Sequence, residues 1–286
     1  MIALARGDWA AEIRPGLGGA LTRLSWRGED VLRPTPPGAD DPLQTACFPL
    51  VPWANRIAAA RFPWDGEDVA LEPTPGFEPH ALHGIGWHRP WTVASSGEVS
   101  AVLTLEQPRS DWPWAWTAEQ RITLDDDGLT VALSVTNADD RAMPAGLGLH
   151  PYFVRRPGTR VSFAASGVWT VDETLIPTGL AASDAVFDWR GGPVVDAASF
   201  VDHAYAGWGG VARVTTDDRT VTLRAAPPAT GLHVFAPAGA DFVCLEPVTH
   251  RPDAFNAPAG EVTGLVPLEP GQTAEMTLTI TAAART

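Results

Sequence analysis

Apolar and polar residues alternate along most of the chain, and the alternation has a period of two residues. The clearest examples are segments 129–135, 221–223 and 276–280, in which every second residue is Leu, Val, Ile or Met. Because successive side chains of a β-strand point to opposite faces, this pattern predicts strands with one buried face. Weaker segments of the same kind are 12–14, 21–26, 69–72, 101–105, 121–124, 231–235 and 242–246.

Turn-forming residues separate these segments, and helix signals are scarce. The 27 glycines and 27 prolines are spread over all 286 residues, and few stretches combine a 3.6-residue apolar period with capping residues. Such a chain favours an all-β fold, a large antiparallel β-sandwich with little helix. We expect residues 1–286 to form a single domain without internal repeats. The run Asp-Asp-Asp-Gly at 125–128 predicts a solvated hairpin turn.

The balance of charged residues argues against nucleic acid or a membrane as a partner. Twenty basic residues, all of them arginine, stand against 34 acidic residues, which gives a net charge of −14. This charge repels phosphate backbones, and no arginine-rich run offsets it locally. No apolar run reaches about 18 residues, and the charged residues within the first 15 positions do not fit a signal peptide. These features predict a soluble cytoplasmic protein.

The chain contains two cysteines, Cys47 and Cys244, and both lie in apolar runs. A chain of this length buries enough surface to form a core without disulfide bonds. We therefore expect two buried thiols in a reducing compartment rather than a disulfide.

Polar and aromatic residues interrupt the strand pattern at four places, and functional residues of β-proteins usually lie in such connections. In the first, residues 48–62, Asn55 and Arg56 offer an amide and a planar guanidinium with five donors. These groups suit a polyhydroxylated or an anionic small molecule. An arginine paired with a structural carboxylate fits the same segment equally well.

The second place, residues 80–91, contains three histidines. The spacing of His80, His83 and His88 lacks the second ligand pair of a structural zinc site and the helical HExxH pattern, so we expect no metal. His83 is the functional candidate, because the two glycines that closely follow it allow a ligand to approach. We expect the other two histidines to pack in the fold or to face water.

The third and fourth places each have an ionisable residue followed by a proline. His150 lies at the end of an apolar run in residues 146–153, and Glu246 lies in the apolar strand pattern of residues 242–256. Because proline interrupts strand pairing, His150 is predicted to project from a strand end, and Glu246 to close its strand. A buried glutamate is costly unless it is paired or functional. A hydrogen-bonded structural role is the alternative for both residues.

Taken together, these segments resemble one known family. The runs PLVPWANRI, LHGIGW, GLHPYF, VDHAYAGW and LEPVTHRPDAFN occur in the order found in aldose 1-epimerases, also called galactose mutarotases. The resemblance extends over essentially the whole chain. It implies a galactose mutarotase-like supersandwich whose open groove binds a free sugar and interconverts its α and β anomers without a cofactor or a metal.

Anomer interconversion requires an acid and a base. A base takes the proton of the anomeric hydroxyl while an acid protonates the ring oxygen, and a carboxylate with an imidazole suits this task near neutral pH. By the resemblance, Glu246 is the general base, His150 is the general acid, and His83 polarises the ring oxygen or shares the acid's role. A nearby carboxylate should keep His150 charged.

The resemblance also assigns residues that bind the sugar. Arg56 matches a hydroxyl-binding arginine, and Asp202 matches the family's sugar-binding aspartate. Three tryptophans adjoin the motifs and are candidate stacking platforms for the apolar face of a sugar, although packing in the core fits each of them equally well. They are Trp53, Trp87 and Trp208.

Several alternatives stay open at this point. The expected partner is a small-molecule sugar, and the protein is expected to be a monomer or a homodimer. A modified or anionic sugar would need clustered cations, for which Arg89, Arg155 and Arg156 are the candidates. A non-catalytic carbohydrate-binding protein would have no need of both an acid and a base. A glycoside hydrolase would require two carboxylates about 5–9.5 Å apart, and only Glu246 is a strong candidate.

Overall fold

The computed structural model describes residues 1–227 and 229–285, and its strands are numbered β1 to β25 in chain order. An eleven-stranded antiparallel sheet has the order β1-β2-β3-β5-β15-β23-β22-β19-β17-β18, with β4 paired to β3. Its strands are β1 (Ile2–Arg6), β2 (Trp9–Arg14), β3 (Ala20–Trp26), β4 (Glu29–Asp30), β5 (Cys47–Leu50), β15 (Gly148–Val154), β17 (Gly167–Val171), β18 (Pro177–Ala182), β19 (Val201–Ala206), β22 (Gly231–Ala236) and β23 (Phe242–Val248).

A second antiparallel sheet has eight strands in the order β10-β11-β12-β13-β25-β21-β20-β16. Its strands are β10 (Thr92–Ser96), β11 (Ser100–Gln107), β12 (Trp116–Leu124), β13 (Gly128–Asn137), β16 (Arg160–Phe163), β20 (Val211–Thr215), β21 (Arg219–Ala225) and β25 (Thr273–Ala284). Three two-stranded ribbons complete the strands: β6 (Arg56–Ile57) with β9 (Ala81–Leu82), β7 (Arg61–Trp64) with β8 (Glu67–Ala70), and β14 (Met143–Ala145) with β24 (Val266–Leu268).

Helix is confined to short 3₁₀ turns in the part of the chain that the structure describes. They are η1 (Pro42–Gln44), η2 (Ala58–Ala60), η3 (Gly86–His88), η4 (Val195–Ala197) and η5 (Ala254–Asn256). None of the described helices is long and apolar enough to cross a membrane. The expectation of an all-β antiparallel fold with little helix is confirmed.

The alternating segments form the strands expected of them. In β13 every second residue from Leu129 to Val135 is buried, and the same holds for Met276, Leu278 and Ile280 in β25. These side chains join one apolar core with residues of the first sheet, such as Leu24 and other buried leucines. The alternation therefore reflects burial of one sheet face against the other sheet.

Two local expectations are also resolved. The turn between β12 and β13 is closed by the carboxylate of Asp125, which accepts hydrogen bonds from the N–H groups of Asp127 and Gly128 at 2.9 Å each. The three aspartates of this turn are exposed, as expected. The strand predicted at 69–72 lies two residues earlier, at Glu67–Ala70, where β7 provides its partner.

Both cysteines are buried free thiols, as predicted. Cys47 pairs with Pro151 across β5 and β15, and Cys244 pairs with Tyr152 across β23 and β15. Because neighbouring residues of a strand face opposite sides of the sheet, the two thiols also face opposite sides. This arrangement explains why they do not form a disulfide.

Candidate active site

The site lies on the face of the first sheet that points away from the main core. His150 pairs with Phe48 across β15 and β5, and Glu246 pairs with His233 across β23 and β22. Partners in adjacent strands share one face of a sheet. The four side chains therefore form a row across four neighbouring strands.

His150 and Glu246 stand opposite each other in the middle of this row. Strands β15 and β23 pair at Gly148–Val248 and again at Tyr152–Cys244, and this register places His150 opposite Glu246. The three positions of β15 between these two pairs are not paired with β23. Each strand contains a proline in this interval, Pro151 in β15 and Pro247 in β23. Both strands continue past it, so the expectation that His150 and Glu246 lie at strand ends is wrong. Proline removes a donor from one ladder without ending the strand, because the strand still pairs on its other side.

The two side chains are in direct contact and almost fully buried. His150 Nε2 lies 3.2 Å from Glu246 Oε1, and the residues are 5% and 1% exposed. Burial raises the pKa of Glu246 to about 8 and lowers the pKa of His150 to about 3. The pair therefore holds one proton at neutral pH and has no net charge. The expectation that a carboxylate keeps His150 charged is wrong, because desolvation outweighs the attraction between them.

Aromatic rings pack around His150. Its imidazole packs against the rings of Phe48 and Tyr152, with centroid separations of 4.6 Å and interplanar angles of 21° and 22°, and the centroids of these two rings are 6.3 Å apart. Trp87 stacks on Phe48 at 5.2 Å. The guanidinium of Arg33 lies 3.9 Å from the centroid of the Tyr152 ring. These contacts restrict the rotation of the imidazole.

A second histidine and carboxylate pair lies beside the first. His233 Nε2 is 2.6 Å from Asp202 Oδ1, and Asn55 Nδ2 is 3.2 Å from His233 Nδ1. Burial alone would lower the pKa of His233, but Glu246 and the hydrogen bond to Asp202 outweigh it and raise that pKa. Burial alone would raise the pKa of Asp202, yet the hydrogen bond and charge of His233 lower it. Asp202 is therefore a carboxylate at neutral pH.

His83 and Asn55 hold each other in left-handed backbone conformations, with φ angles of 61° and 59°. The N–H of His83 donates to the carbonyl of Asn55 at 3.0 Å, and the N–H of Asn55 donates to His83 Nδ1 at 3.1 Å. Burial lowers the pKa of His83 well below its usual value. The neutral ring therefore carries its proton on Nε2, as a hydrogen-bond donor.

The glycines after His83 have a different role from the one expected. A Cβ on Gly84, whose φ is +72°, would lie 2.1 Å from the carbonyl oxygen of Val51, and one on Gly86 would lie 2.4 Å from the Val51 side chain. These glycines therefore make room for the backbone and side chain of Val51 rather than for a ligand. His80 packs, as expected, and its Nδ1 accepts the N–H of Ala59 at 3.0 Å.

The two pairs and His83 line a cavity of about 280 Å³, close to the lower end of the range for small-molecule sites. Six predicted site residues meet there: Asn55, Arg56, His83, His150, Asp202 and Glu246. Sequence reasoning missed His233, although a histidine inside the alternating run GLHVFA was a usable signal. It also missed Arg33, Leu43, Phe77, Leu82, Tyr152, Phe235 and Phe242.

The three predicted tryptophan platforms do not line this cavity. Trp53, Trp87 and Trp208 are 2%, 1% and 5% exposed. Trp53 packs on Trp112 and borders a second cavity of about 220 Å³, Trp87 stacks on Phe48, and Trp208 belongs to the main core. Large indoles are used here to fill the fold, and the rings around the site cavity are Phe and Tyr.

The arginines predicted to bind an anionic sugar are also elsewhere. Arg155 and Arg156 form ion pairs with Asp196 and Glu29 at 2.6 and 2.8 Å, and Arg89 lies 3.6 Å from Asp111 beside the second cavity. Among the described residues, the arginines that line the site cavity are Arg33 and Arg56.

The site also contains a donor set that suits a divalent metal. One ligand atom each from His83, His150 and Glu246 lies within 4.8 Å of the others, and all three residues are buried. Two histidines and a carboxylate can bind transition metals. The histidine spacing in the sequence gave no sign of this set, because its members come from three distant segments.

Comparison with known proteins assigns the chain to a family. The sequence model of aldose 1-epimerases matches residues 4–281. The chain belongs to the aldose 1-epimerase family. Its relatives include the uncharacterized Escherichia coli K12 protein YphB, which is 35% identical over 82% of this chain and 83% of its own length. Another relative, the uncharacterized protein YihR of the same organism, is 26% identical over 90% of this chain and 86% of its own length.

Solved structures of this family share the fold. A candidate aldose 1-epimerase from E. coli K12 superposes with a TM-score of 0.91 at 30% identity and covers 99% of both chains. A galactose mutarotase-like protein from Clostridium acetobutylicum reaches 0.89 at 18% identity, covering 99% of this chain and 95% of its own. The fold implied by the sequence motifs of this aldose 1-epimerase family member is thus confirmed.

Proposed function

We propose that the protein is an aldose 1-epimerase that interconverts the α and β anomers of a free aldose. The observation that carries this proposal is the buried contact of 3.2 Å between His150 Nε2 and Glu246 Oε1 at the cavity. Membership of the aldose 1-epimerase family supports this reaction class. The buried contact supplies the acid and the base that this reaction requires.

The reaction begins when the proton shared by the pair passes from Glu246 to His150, so that a carboxylate and an imidazolium face the sugar. Glu246 then takes the proton of the anomeric hydroxyl, the C1–O1 bond becomes a carbonyl, and the C1–O5 bond breaks. His150 gives its proton to O5. Rotation about C1–C2 and closure by the reverse steps on the other carbonyl face yield the second anomer and restore the pair.

The neighbouring groups bind and orient the sugar in this proposal. His83 is neutral with its proton on Nε2, so it donates a hydrogen bond to the ring oxygen or to an adjacent hydroxyl. Asp202 accepts from hydroxyl groups. Arg56 makes no side-chain hydrogen bond to any described residue, and so its guanidinium is available to sugar oxygens.

The arrangement favours catalysis over binding alone. A carboxyl group that is 1% exposed and contacts a histidine is costly to maintain, and a binding site could use uncharged donors instead. Glycoside hydrolysis is less well supported. Among the described residues that line the cavity, Asp202 is the one carboxylate besides Glu246, and His233 already holds it at 2.6 Å.

Polarimetry of freshly dissolved pure anomers tests the proposal. We expect the protein to accelerate the approach to anomeric equilibrium of at least one aldose from a panel of hexoses, pentoses and hexuronic acids. Glu106→Gln, which alters an exposed carboxylate, is the matched control and should keep the wild-type rate. If the protein binds a sugar from the panel and accelerates none, it is a binding protein.

A further inference from the structure

Asn55 uses all four of its polar groups on neighbouring residues. It is 5% exposed and lines the cavity together with His83 and His233. Its backbone N–H donates to His83 Nδ1 at 3.1 Å, and its carbonyl accepts the N–H of His83 at 3.0 Å. Its side-chain Oδ1 accepts the N–H of Arg56 at 2.8 Å, and its Nδ2 lies 3.2 Å from His233 Nδ1. One asparagine therefore contacts two imidazoles of the site.

The N–H of Arg56 fixes the orientation of the Asn55 amide. This N–H needs an acceptor, and an amide turned over would place its NH₂ group there instead of Oδ1. The amide nitrogen therefore faces His233, and an amide nitrogen donates hydrogen bonds but does not accept them. The contact of 3.2 Å is consequently a hydrogen bond only when Nδ1 of His233 carries no proton.

Asp202 requires a proton on the other nitrogen of the same ring. Its Oδ1 lies 2.6 Å from His233 Nε2, and a carboxylate oxygen accepts but does not donate. The charges of Asp202 and Glu246 favour an imidazolium, but that form would direct a second N–H against the amide hydrogens of Asn55. A neutral ring with its proton on Nε2 satisfies both neighbours.

The backbone of Asn55 imposes the same proton position on His83. Nδ1 of His83 accepts the N–H of Asn55, so the proton of this neutral ring lies on Nε2. Nε2 makes no hydrogen bond to residues 1–227 or 229–285, although the ring lines the cavity. The other oxygen of Asp202, Oδ2, likewise has no hydrogen-bond partner in that part of the chain.

We propose that Asn55 is a positioning residue that sets the proton positions of His83 and His233, and through them the donors and acceptors offered to the sugar. His83 then presents Nε2–H as a donor. His233 holds one oxygen of Asp202 and leaves the other as an acceptor for a sugar hydroxyl. The effect on sugar binding rests on the proposed function, whereas the proton positions do not.

The backbone conformation explains why asparagine suits this position. The φ angle of Asn55 is 59°, in the left-handed region that glycine, asparagine and aspartate adopt most readily. Of these three residues, asparagine alone has a side-chain donor for His233. Aspartate therefore provides a test variant of the same shape that replaces this donor with an acceptor.

Nitrogen-15 NMR of the imidazoles at pH 7, in protein labelled at histidine, measures the proton positions directly. In the wild type, Nδ1 of both His83 and His233 should have the chemical shift of an unprotonated nitrogen. In Asn55→Asp the new acceptor should bring a proton to Nδ1 of His233, while His83, held by the backbone N–H, should not change. A protonated Nδ1 on either ring of the wild type would overturn the proposal, even if the variant fails to fold. An unchanged His233 in the folded variant would also overturn it.

Kinetics show whether the proton positions matter for the sugar. Asn55→Asp should raise KM about tenfold and change kcat by less than about threefold, because Asp202 and His83 bind the sugar. Asn256→Asp is the matched control, since Asn256 is exposed and lies outside the cavity. It should leave KM and both imidazole spectra unchanged. An unchanged KM in Asn55→Asp would overturn the role in sugar binding.

Two variants of His233 separate hydrogen bonding from packing. In His233→Gln the amide oxygen can accept from Asn55 and the amide nitrogen can donate to Asp202, so KM should stay within about threefold of the wild type. His233→Leu can do neither and should raise KM about tenfold. Equal KM values for the two variants would show that His233 only fills space, and would overturn the proposal.

Failure of this proposal and failure of the proposed function give different results. Anomer interconversion at a normal rate with a protonated Nδ1 on His233 would overturn the role of Asn55 alone. If the proton positions are as expected but no sugar of the panel is accelerated, the proposed function fails and the assignment of the proton positions stands.

Discussion

Two histidine and carboxylate pairs lie side by side in one cavity, yet they hold their protons differently. His150 and Glu246 are separated by 3.2 Å, and burial favours the neutral form of both. His233 and Asp202 are separated by 2.6 Å, and their mutual attraction outweighs burial and keeps Asp202 ionised. The same two residue types therefore serve different ends. A pair that shares one movable proton suits acid and base catalysis, and a pair with an ionised carboxylate suits binding.

The neighbours of each pair account for the difference. The pair of Asp202 and His233 also has a polar neighbour, since Asn55 Nδ2 lies 3.2 Å from His233 Nδ1. His150 is enclosed by aromatic rings and its Nδ1 has no partner in the described structure, as is true of Glu246 Oε2. Polar contacts keep Asp202 ionised in one pair, whereas their scarcity favours the neutral forms of His150 and Glu246 in the other.

The largest expected effect is on kcat, and it distinguishes substitution of Glu246 from substitution of Asp202. The glutamine amide of the Glu246→Gln variant cannot accept a proton. We therefore expect kcat to fall by about a hundredfold or more, while sugar affinity is nearly retained. Asp202→Asn should mainly raise KM, by about tenfold, with a smaller loss of kcat. Initial rates by polarimetry give both constants. Retention of more than about a tenth of the wild-type kcat in Glu246→Gln would exclude its role as general base.

The histidines are distinguished in the same assay. His150→Asn should lower kcat with little change in KM, because its proton transfer is made mainly in the transition state. His83→Asn should change KM more and kcat less, since His83 is expected to orient the ring oxygen. If His83→Asn were the more damaging to kcat, the assignment of the acid would be reversed.

Stability should respond to the two carboxylates with opposite signs. The folded-state pKa of Glu246 lies above its ordinary value of 4.5, so the free energy of unfolding falls as pH rises from about 4.5 to about 8. At pH 7 this cost is on the order of 3 kcal/mol, and Glu246→Gln should raise Tm by several degrees.

Asp202→Asn should lower Tm at pH 7. The pKa of Asp202 lies below its ordinary value, so its contribution to stability is present above that ordinary value and is lost as pH falls. Thermal unfolding of both variants at pH 7 checks the two signs. A loss of stability in both would show that Glu246 is ionised in the folded protein.

The smallest expected effect concerns metal ions. We expect dialysis against a strong chelator to leave the rate unchanged, because the proposed steps use only His150 and Glu246. The set formed with His83 could still bind zinc, and added zinc should then inhibit by occupying the pair. Loss of activity on chelation that zinc restores would contradict the metal-free mechanism.

The strands could be predicted from the sequence because their signal is local. In β13 and β25 one face is buried and the other is exposed, and this appears directly as a period of two. Strands β15 and β23 are covered on both faces, so their residues are buried almost without interruption. Because these segments show no alternation, their prolines wrongly predict strand ends.

The site could be predicted in part, because motifs identify residues but not their surroundings. His150 and Glu246 were found from their unusual positions, whereas their neutral state depends on burial that no short segment reveals. His233 and Arg33 reach the cavity through pairing of distant strands and through aromatic contacts. The tryptophans failed as platforms because adjacency in the sequence does not fix the direction of a side chain.

The pH dependence of kcat/KM tests the central claim that the His150 and Glu246 pair works with one shared proton. The pair loses that proton near pH 8, so kcat/KM should be constant between pH 6 and 7.5 and should fall as pH rises above about 8. Asp202→Asn should keep the same decline, because Asp202 does not hold the shared proton. A kcat/KM that instead rises through pH 8 to a plateau would mean that Glu246 acts as a base without an acid partner, and it would contradict the account.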